Sequence, residues 1–115
     1  MKAYRVLILI AGLAGALGVA LSAAAAHRGG QNLQTAATFL LVHAPALLGA
    51  ALLAGRTARF SGFVLAVGLV LFCGDLLARD FLGDRLFPYA APAGGLLLIG
   101  GWLVVAASAL FDRRA

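Results

Sequence analysis

Four long apolar stretches, separated by short polar or glycine-containing segments, dominate the hydrophobic pattern of this chain. They run from about residues 4 to 26, 35 to 54, 60 to 78 and 91 to 111. Each is close to the roughly 20 residues that a helix needs to cross a bilayer. Their short connections make sequential helices antiparallel neighbours. The pattern predicts an all-α integral membrane bundle of four transmembrane helices, forming one domain over residues 1–115.

The composition supports a bilayer as the solvent. Hydrophobic residues make up 63% of the 115 positions and charged residues only 11%. A soluble domain of this length could not bury so much apolar surface. The formal net charge of +5 comes from basic residues at the segment ends, which is typical of a membrane protein rather than of a nucleic-acid-binding patch. We therefore expect membrane lipids, and not nucleic acid, as partners.

The first apolar stretch has a second interpretation. Its basic start, apolar middle and final small residues also resemble a secretory signal peptide. The apolar run is long for a signal peptide, and we expect it to be retained as a transmembrane helix.

The lysines and arginines predict an orientation. With four spans, the two termini and the second connection share one side, which carries six basic residues, whereas the other side carries three. The first group is Lys2, Arg5, Arg56, Arg59, Arg113 and Arg114, and the second is Arg28, Arg79 and Arg85. Because positive residues favour the cytoplasmic side, we expect both termini in the cytoplasm.

Each predicted helix also repeats small or polar residues at intervals of seven. Lipid gives helices no hydrophobic reason to associate, so small residues that allow close approach are expected at their contacts. The four series are Ala11, Gly18 and Ala25; Ala36, His43 and Ala50; Ser61, Gly68 and Asp75; and Gly94, Gly101 and Ser108. A seven-residue repeat favours a left-handed bundle, with Gly18, Gly68, Gly94 and Gly101 as packing positions.

The stretch "FLLVHAPALLGAALLAG" places His43 deep in the second helix, in the series that faces the bundle. Pro45 has no N–H for the carbonyl of Leu41, so the helix should kink and leave a polar spot nearby. An ionisable residue inside the membrane is a functional candidate. His43 either accepts protons or contacts a ligand, or it is a neutral histidine that joins two helices by hydrogen bonds.

Three further residues complete the candidate polar intramembrane site. Asp75 and Arg79 have the acid-then-base spacing of an ion pair within one helix; alternatively, Asp75 reaches across to orient His43. His27 ends the first helix before two glycines, where a cation is favourable. The two histidines lack the third and fourth ligands of a typical metal site, and we expect neither a metal nor another cofactor. The single cysteine, Cys73, is expected to be a buried packing residue.

Four ordered motifs resemble those of a known family. "AAAAH" ends the first helix, and "VHAPALLGAALL", "GLVLFCGDLL" and "PAGGLLLIGGW" occur in the next three. Together they resemble the small bacterial membrane proteins catalogued as domain of unknown function 423, the YgdD-like family. Val42 replaces an aromatic residue of the family pattern, and Cys73 and Asp75 stand where the family usually has serines. The resemblance implies a four-helix protein of the bacterial inner membrane and supplies no established activity.

Three classes of function are compatible with these features. The favoured one is a non-enzymatic protein that works through helix association, as a homo-oligomer or as an accessory subunit of a membrane complex. The second is a small oligomeric transporter or channel in which His43 lines a polar path. The third is a membrane enzyme or redox protein. The sequence has no phosphate-binding loop, serine nucleophile motif or paired catalytic carboxylates, and we expect no enzymatic activity and no catalytic residues.

Overall fold

The computed structural model describes residues 1–113 and contains four α-helices in this range. They are α1 (Ala3–Arg28), α2 (Gln31–Leu52), α3 (Arg56–Phe81) and α4 (Ala90–Phe111). Each is long and apolar enough to cross a membrane. The predicted all-α architecture with four membrane-spanning helices is confirmed.

Two of the helices are longer than predicted. Helix α2 begins at Gln31, not near residue 35, and α3 covers Arg56–Phe81, not 60–78. The hydrophobic pattern shows only the part of a helix that matches the hydrocarbon, whereas the backbone remains helical through polar turns at the membrane surface. At the start of α2 the break falls on Gly29 and Gly30, whose φ angles of 75° and 102° are unfavourable for residues with a Cβ.

The helices are packed unequally. Helix α2 contacts α1 and α3, α4 packs mainly against α3, and α1 also touches α3. In the most apolar 18 residues of each helix, the buried share is 44% for both α2 and α3. It is 28% for α1 and 17% for α4. Helices α2 and α3 therefore form the centre of the bundle, and α1 and α4 present their outer faces to lipid.

Glycines bring the helices together at the predicted positions. An ideal Cβ built on Gly68 would lie 2.9 Å from the backbone oxygen of Gly94, and one on Gly101 would lie 2.7 Å from the side chain of Leu65. One on Gly18 would lie 2.9 Å from the side chain of Leu41. Real Cβ atoms essentially never approach other atoms this closely. The seven-residue series mark the inner faces, since every member is buried except Ser108, which is half-buried.

Sequence reasoning missed the close packing of Gly62 in the centre of the bundle. A Cβ on Gly62 would lie 2.7 Å from the side chain of Leu7 and 2.9 Å from that of Ala50. Gly62 is not a member of the seven-residue series predicted for α3. It packs against both α1 and α2. Its neighbour Ser61 belongs to the series and is also completely buried. The wide inner face of α3 follows from its central position.

Candidate intramembrane polar site

His43 of α2 is buried and uses both ring nitrogens. Only 4% of the residue is exposed. Its Nδ1 lies 2.8 Å from the carbonyl oxygen of Phe39, one turn earlier, and the indole Nε1–H of Trp102 donates to its Nε2 at 3.1 Å. Because an indole N–H can only donate, Nε2 is the acceptor and the proton lies on Nδ1. These contacts define a neutral imidazole that joins α2 to α4.

Aromatic rings extend this contact into a cluster of Phe39, His43, Phe72 and Trp102. The ring of Phe39 is stacked against His43 at a centroid distance of 5.8 Å and an interplanar angle of 13°. The rings of Phe39 and Phe72 have centroids 4.5 Å apart. The aromatic cluster therefore joins α2, α3 and α4. Trp102, which is 43% exposed, was missed as the partner of His43, although an indole N–H within a membrane needs an acceptor from the protein.

Pro45 lies within α2, one residue after Ala44 and two after His43. As a proline it cannot donate to the carbonyl of Leu41, and the polar spot was predicted beside this free carbonyl. The imidazole of His43 contacts the carbonyl of Phe39 rather than that of Leu41. The polar spot thus contains a histidine, a backbone carbonyl and an indole.

Removing the hydrogen bond between His43 and Trp102 should weaken the attachment of α4. For the pair His43→Phe and Trp102→Phe, we expect a coupling free energy of about 1 kcal/mol, within the range measured for hydrogen bonds between membrane helices. A double-mutant cycle, measured by sodium dodecyl sulfate titration, tests this value. Additive effects of the two substitutions would show that the bond does not contribute to stability.

Asp75 of α3 is held by two groups at the end of the bundle opposite the termini. Its carboxylate accepts from the Nε–H of Arg79 at 3.0 Å and from the backbone N–H of Leu86 at 2.8 Å. The Asp75 side chain is 1% exposed and that of Arg79 is 42% exposed. The ion pair predicted from the four-residue spacing is present. Asp75 also anchors the connection between α3 and α4, which the sequence did not indicate.

The alternative contact between Asp75 and His43 was wrong. Both imidazole nitrogens of His43 are bonded to Phe39 and Trp102. Both carboxylate oxygens of Asp75 are bonded to Arg79 and Leu86. The two residues face different neighbours at different depths, and the predicted polar residues form two separate sites.

His27 and Cys73 take no part in either site. His27 is exposed in the last turn of α1, which ends as predicted before Gly29. The thiol of Cys73 is buried, with Sγ 3.7 Å from the carbonyl oxygen of Ala36. Within residues 1–113, no group of three or more histidine, cysteine or acidic side chains could hold a metal ion.

Asp112 forms a contact that the sequence analysis missed. It follows α4, and its carboxylate accepts from the backbone N–H groups of Ala58 at 2.8 Å and Thr57 at 3.0 Å. These amides belong to the first turn of α3, where Gly55 supplies no capping side chain. A Cβ on Gly55 would clash with Asp112, so the glycine gives the carboxylate access. The start of α3 without a capping side chain was the available signal.

The pKa of Asp112 explains how this cap should respond to acid. The hydrogen bond from Ala58 has the largest effect and lowers the pKa of the carboxyl below its ordinary value. Burial has the next largest effect and opposes it, and the hydrogen bonds from Thr57 lower the pKa further. A group with a lowered folded pKa stabilises the fold above its unfolded pKa, about 3.9 for aspartate, and loses this effect as the pH falls through the folded pKa.

We therefore expect Asp112→Asn to lower the unfolding temperature at pH 6. The difference from the unsubstituted protein should shrink as the pH falls below about 4, because the carboxyl of the unfolded state is protonated first and that of the folded state at a still lower pH. Thermal unfolding in detergent from pH 6 to pH 3 measures this difference. Asp84→Asn is the matched control, since Asp84 is exposed and its carboxylate accepts a hydrogen bond from the backbone N–H of its neighbour Arg85. If the difference in unfolding temperature did not change with pH, the charge of Asp112 would not be what stabilises the start of α3.

The fold and the internally bonded polar side chains define a small multi-pass integral membrane protein of four helices. A family model described as "Protein of unknown function (DUF423)" matches residues 11–95. The chain belongs to this family of uncharacterised small inner membrane proteins, which confirms the resemblance found in its sequence motifs.

Relatives support the same assignment. Over 122 residues the chain is 29% identical to the UPF0382 inner membrane protein YgdD of Escherichia coli (strain K12), covering 96% of this chain and 93% of that protein. A UPF0382 membrane protein of Staphylococcus epidermidis is 32% identical over 80 residues, covering 67% of this chain and 66% of the relative. No solved structure matches the chain. The relatives and the four membrane-spanning helices confirm the predicted inner-membrane localisation.

Proposed function

We propose that the protein is non-enzymatic and works through helix association in the membrane, as a homo-oligomer or as an accessory subunit of a larger complex. Its buried polar side chains support a structural role for the interior. In residues 1–113 these are His43, Ser61 and Asp75, and each is hydrogen-bonded within the chain. Association must therefore use the outer surface.

The observation that carries this proposal is a row of small residues on the exposed face of α1. Gly12, Ala16 and Ala20 are exposed and four residues apart, so they lie on one side of the helix. An ideal Cβ on Gly12 has no atom within 4 Å. The glycines predicted to pack the bundle, Gly18 among them, make their close contacts within the chain, so the row at Gly12 is a separate surface. Small residues at four-residue intervals allow two transmembrane helices to approach closely.

Substitution of this row tests the proposal. Gly12→Leu and Ala16→Leu should disrupt the assembly, because a leucine side chain separates the two backbones. The matched control is Gly100→Leu on α4, where a Cβ also has no atom within 4 Å. Native mass spectrometry of protein extracted gently from its membrane reports the assembly. If the protein forms a homo-oligomer that dissociates in the α1 variants but not in the control, the result supports self-association. If it forms a complex with another protein that dissociates in the same variants, the result supports a role as an accessory subunit. An assembly insensitive to both α1 variants would contradict the proposal.

The transporter or channel is the weaker proposal. It requires His43 to line a polar path, but this residue is 4% exposed and both of its ring nitrogens are bonded within the protein. Protonation of Nε2 would break the bond from Trp102. A folded His43→Ala variant that loses ion flux in vesicles would reverse this ranking.

A further inference from the structure

An apolar groove runs along the bundle between α1 and α3. Its larger cavity, of about 380 Å³, is lined by apolar side chains that include Leu17 and Leu77. A second cavity of about 300 Å³, lined in part by Phe63, extends toward the end that carries the termini. The two cavities share Ile10, Ala66 and Val70. We call this continuous surface the α1/α3 groove.

Arg59 lies beside the end of the α1/α3 groove that is closer to the termini. It precedes Phe63 by four residues and Ala66 by seven in the same helix, so it shares their face of α3. Its Nε is buried and has no hydrogen-bond partner among the described residues. A buried N–H without an acceptor is costly. Arg59 thus lies one helical turn beyond Phe63, the groove residue of α3 nearest the termini, and has an unpaired donor among the described residues.

The charges at this end of the bundle favour an anion. Besides Arg59, its described residues include the basic Lys2, Arg5, Arg56 and Arg113. The chain has four acidic residues. Asp75, Asp80 and Asp84 belong to the opposite end, and Asp112 is bonded to the first amides of α3. In a membrane, cationic side chains at the surface attract anionic lipids.

We propose that the α1/α3 groove binds an acyl chain of an anionic phospholipid, whose phosphate accepts a hydrogen bond from Arg59. The dimensions agree with this occupant. From Phe63 to Leu77 the groove follows α3 for about 21 Å at 1.5 Å per residue, whereas one leaflet of the hydrocarbon core is about 15 Å thick. One acyl chain can lie in the groove while the phosphate remains at the surface. A guanidinium is well suited to bind a phosphate. This inference is independent of the proposed association through the row at Gly12.

Native mass spectrometry with defined lipids tests the headgroup contact. The protein is titrated with equal amounts of phosphatidylglycerol and phosphatidylcholine of identical chains, and we expect more phosphatidylglycerol adducts. Arg59→Gln should reduce this preference about five-fold, the factor expected for one basic residue at a membrane surface. The control Arg85→Gln removes an arginine at the opposite end and should leave it unchanged. The proposal would be overturned if Arg59→Gln kept the preference for phosphatidylglycerol of the unsubstituted protein. It would also be overturned if Arg85→Gln lost as much of this preference as Arg59→Gln.

A second experiment tests the groove without depending on the Arg59 variant. Phosphatidylglycerol with a photoreactive acyl chain should label peptides of α1 and α3 that line the groove. Val70→Trp should reduce the labelling, because the larger ring fills the space. The control Ile99→Trp changes a residue on α4 that is 60% exposed, which is close to the 63% exposure of Val70. Labelling spread equally over α4 would overturn the proposal. A Val70→Trp variant that changes the oligomeric state but not the labelling would assign the groove to a second copy instead.

Discussion

Gly94→Ala should detach α4 from α3. An ideal Cβ at this position would lie 2.5 Å from the backbone nitrogen of Phe72, 2.8 Å from the backbone oxygen of Gly68 and 3.0 Å from the Cα of Phe72. All three are backbone atoms, so no side chain can rotate away and the helices must move apart. The close contacts that Gly68 and Gly101 make between α3 and α4 would then be lost as well. We expect a destabilisation of about 3 kcal/mol, the upper part of the range for overpacked interiors.

The adjacent residue gives a matched control. Gly95→Ala adds the same methyl group at a position where a Cβ has no atom within 4 Å, and it should change the free energy of unfolding by less than about 0.5 kcal/mol. Unfolding in sodium dodecyl sulfate can be followed by circular dichroism and by the fluorescence of Trp102, which is the sole tryptophan and lies at the contact between α4 and His43. Equal stabilities of the two variants would show that α4 is not held by this close approach.

Asp75→Ala should have the second large effect. The substitution leaves the N–H of Leu86 without its acceptor and Arg79 without its ion-pair partner. Removing one member of a fully buried pair costs about 3–5 kcal/mol, but the side chain of Arg79 is 42% exposed and can turn toward water. We therefore expect a smaller loss of about 2–3 kcal/mol. Asp75→Asn keeps an acceptor for Leu86 and should cost about 1 kcal/mol.

The connection between α3 and α4 reports this change locally. In Asp75→Ala the amide of Leu86 should exchange hydrogen faster, since it loses its bond to the carboxylate. Asp84→Ala serves as the control, because Asp84 is exposed and its carboxylate accepts a hydrogen bond from the adjacent backbone N–H of Arg85. If Asp75→Ala and Asp84→Ala were equally stable, the buried carboxylate would have no part in holding this connection.

The number of helices, their membrane character and their inner faces could be predicted from the sequence. These features depend on the length and periodicity of apolar and small residues, and both are local properties of the chain. The two series that contain Gly68 and Gly94 illustrate this, because their spacing defines one side of α3 and one side of α4. The ion pair of Asp75 and Arg79 was predictable for the same reason, as both residues lie on one helix at a fixed spacing.

Contacts between residues distant in the chain were decided only by the tertiary structure. The bond between Trp102 and His43 spans 59 positions, and that between Ala58 and Asp112 spans 54. Such pairs depend on the relative rotation and depth of helices, which hydrophobic periodicity does not define. For the same reason Asp75 could be assigned to Arg79 but not excluded from His43 by the sequence alone. The apolar spacing in each helix selects an inner face, and packing between helices selects the partner that each polar group meets there.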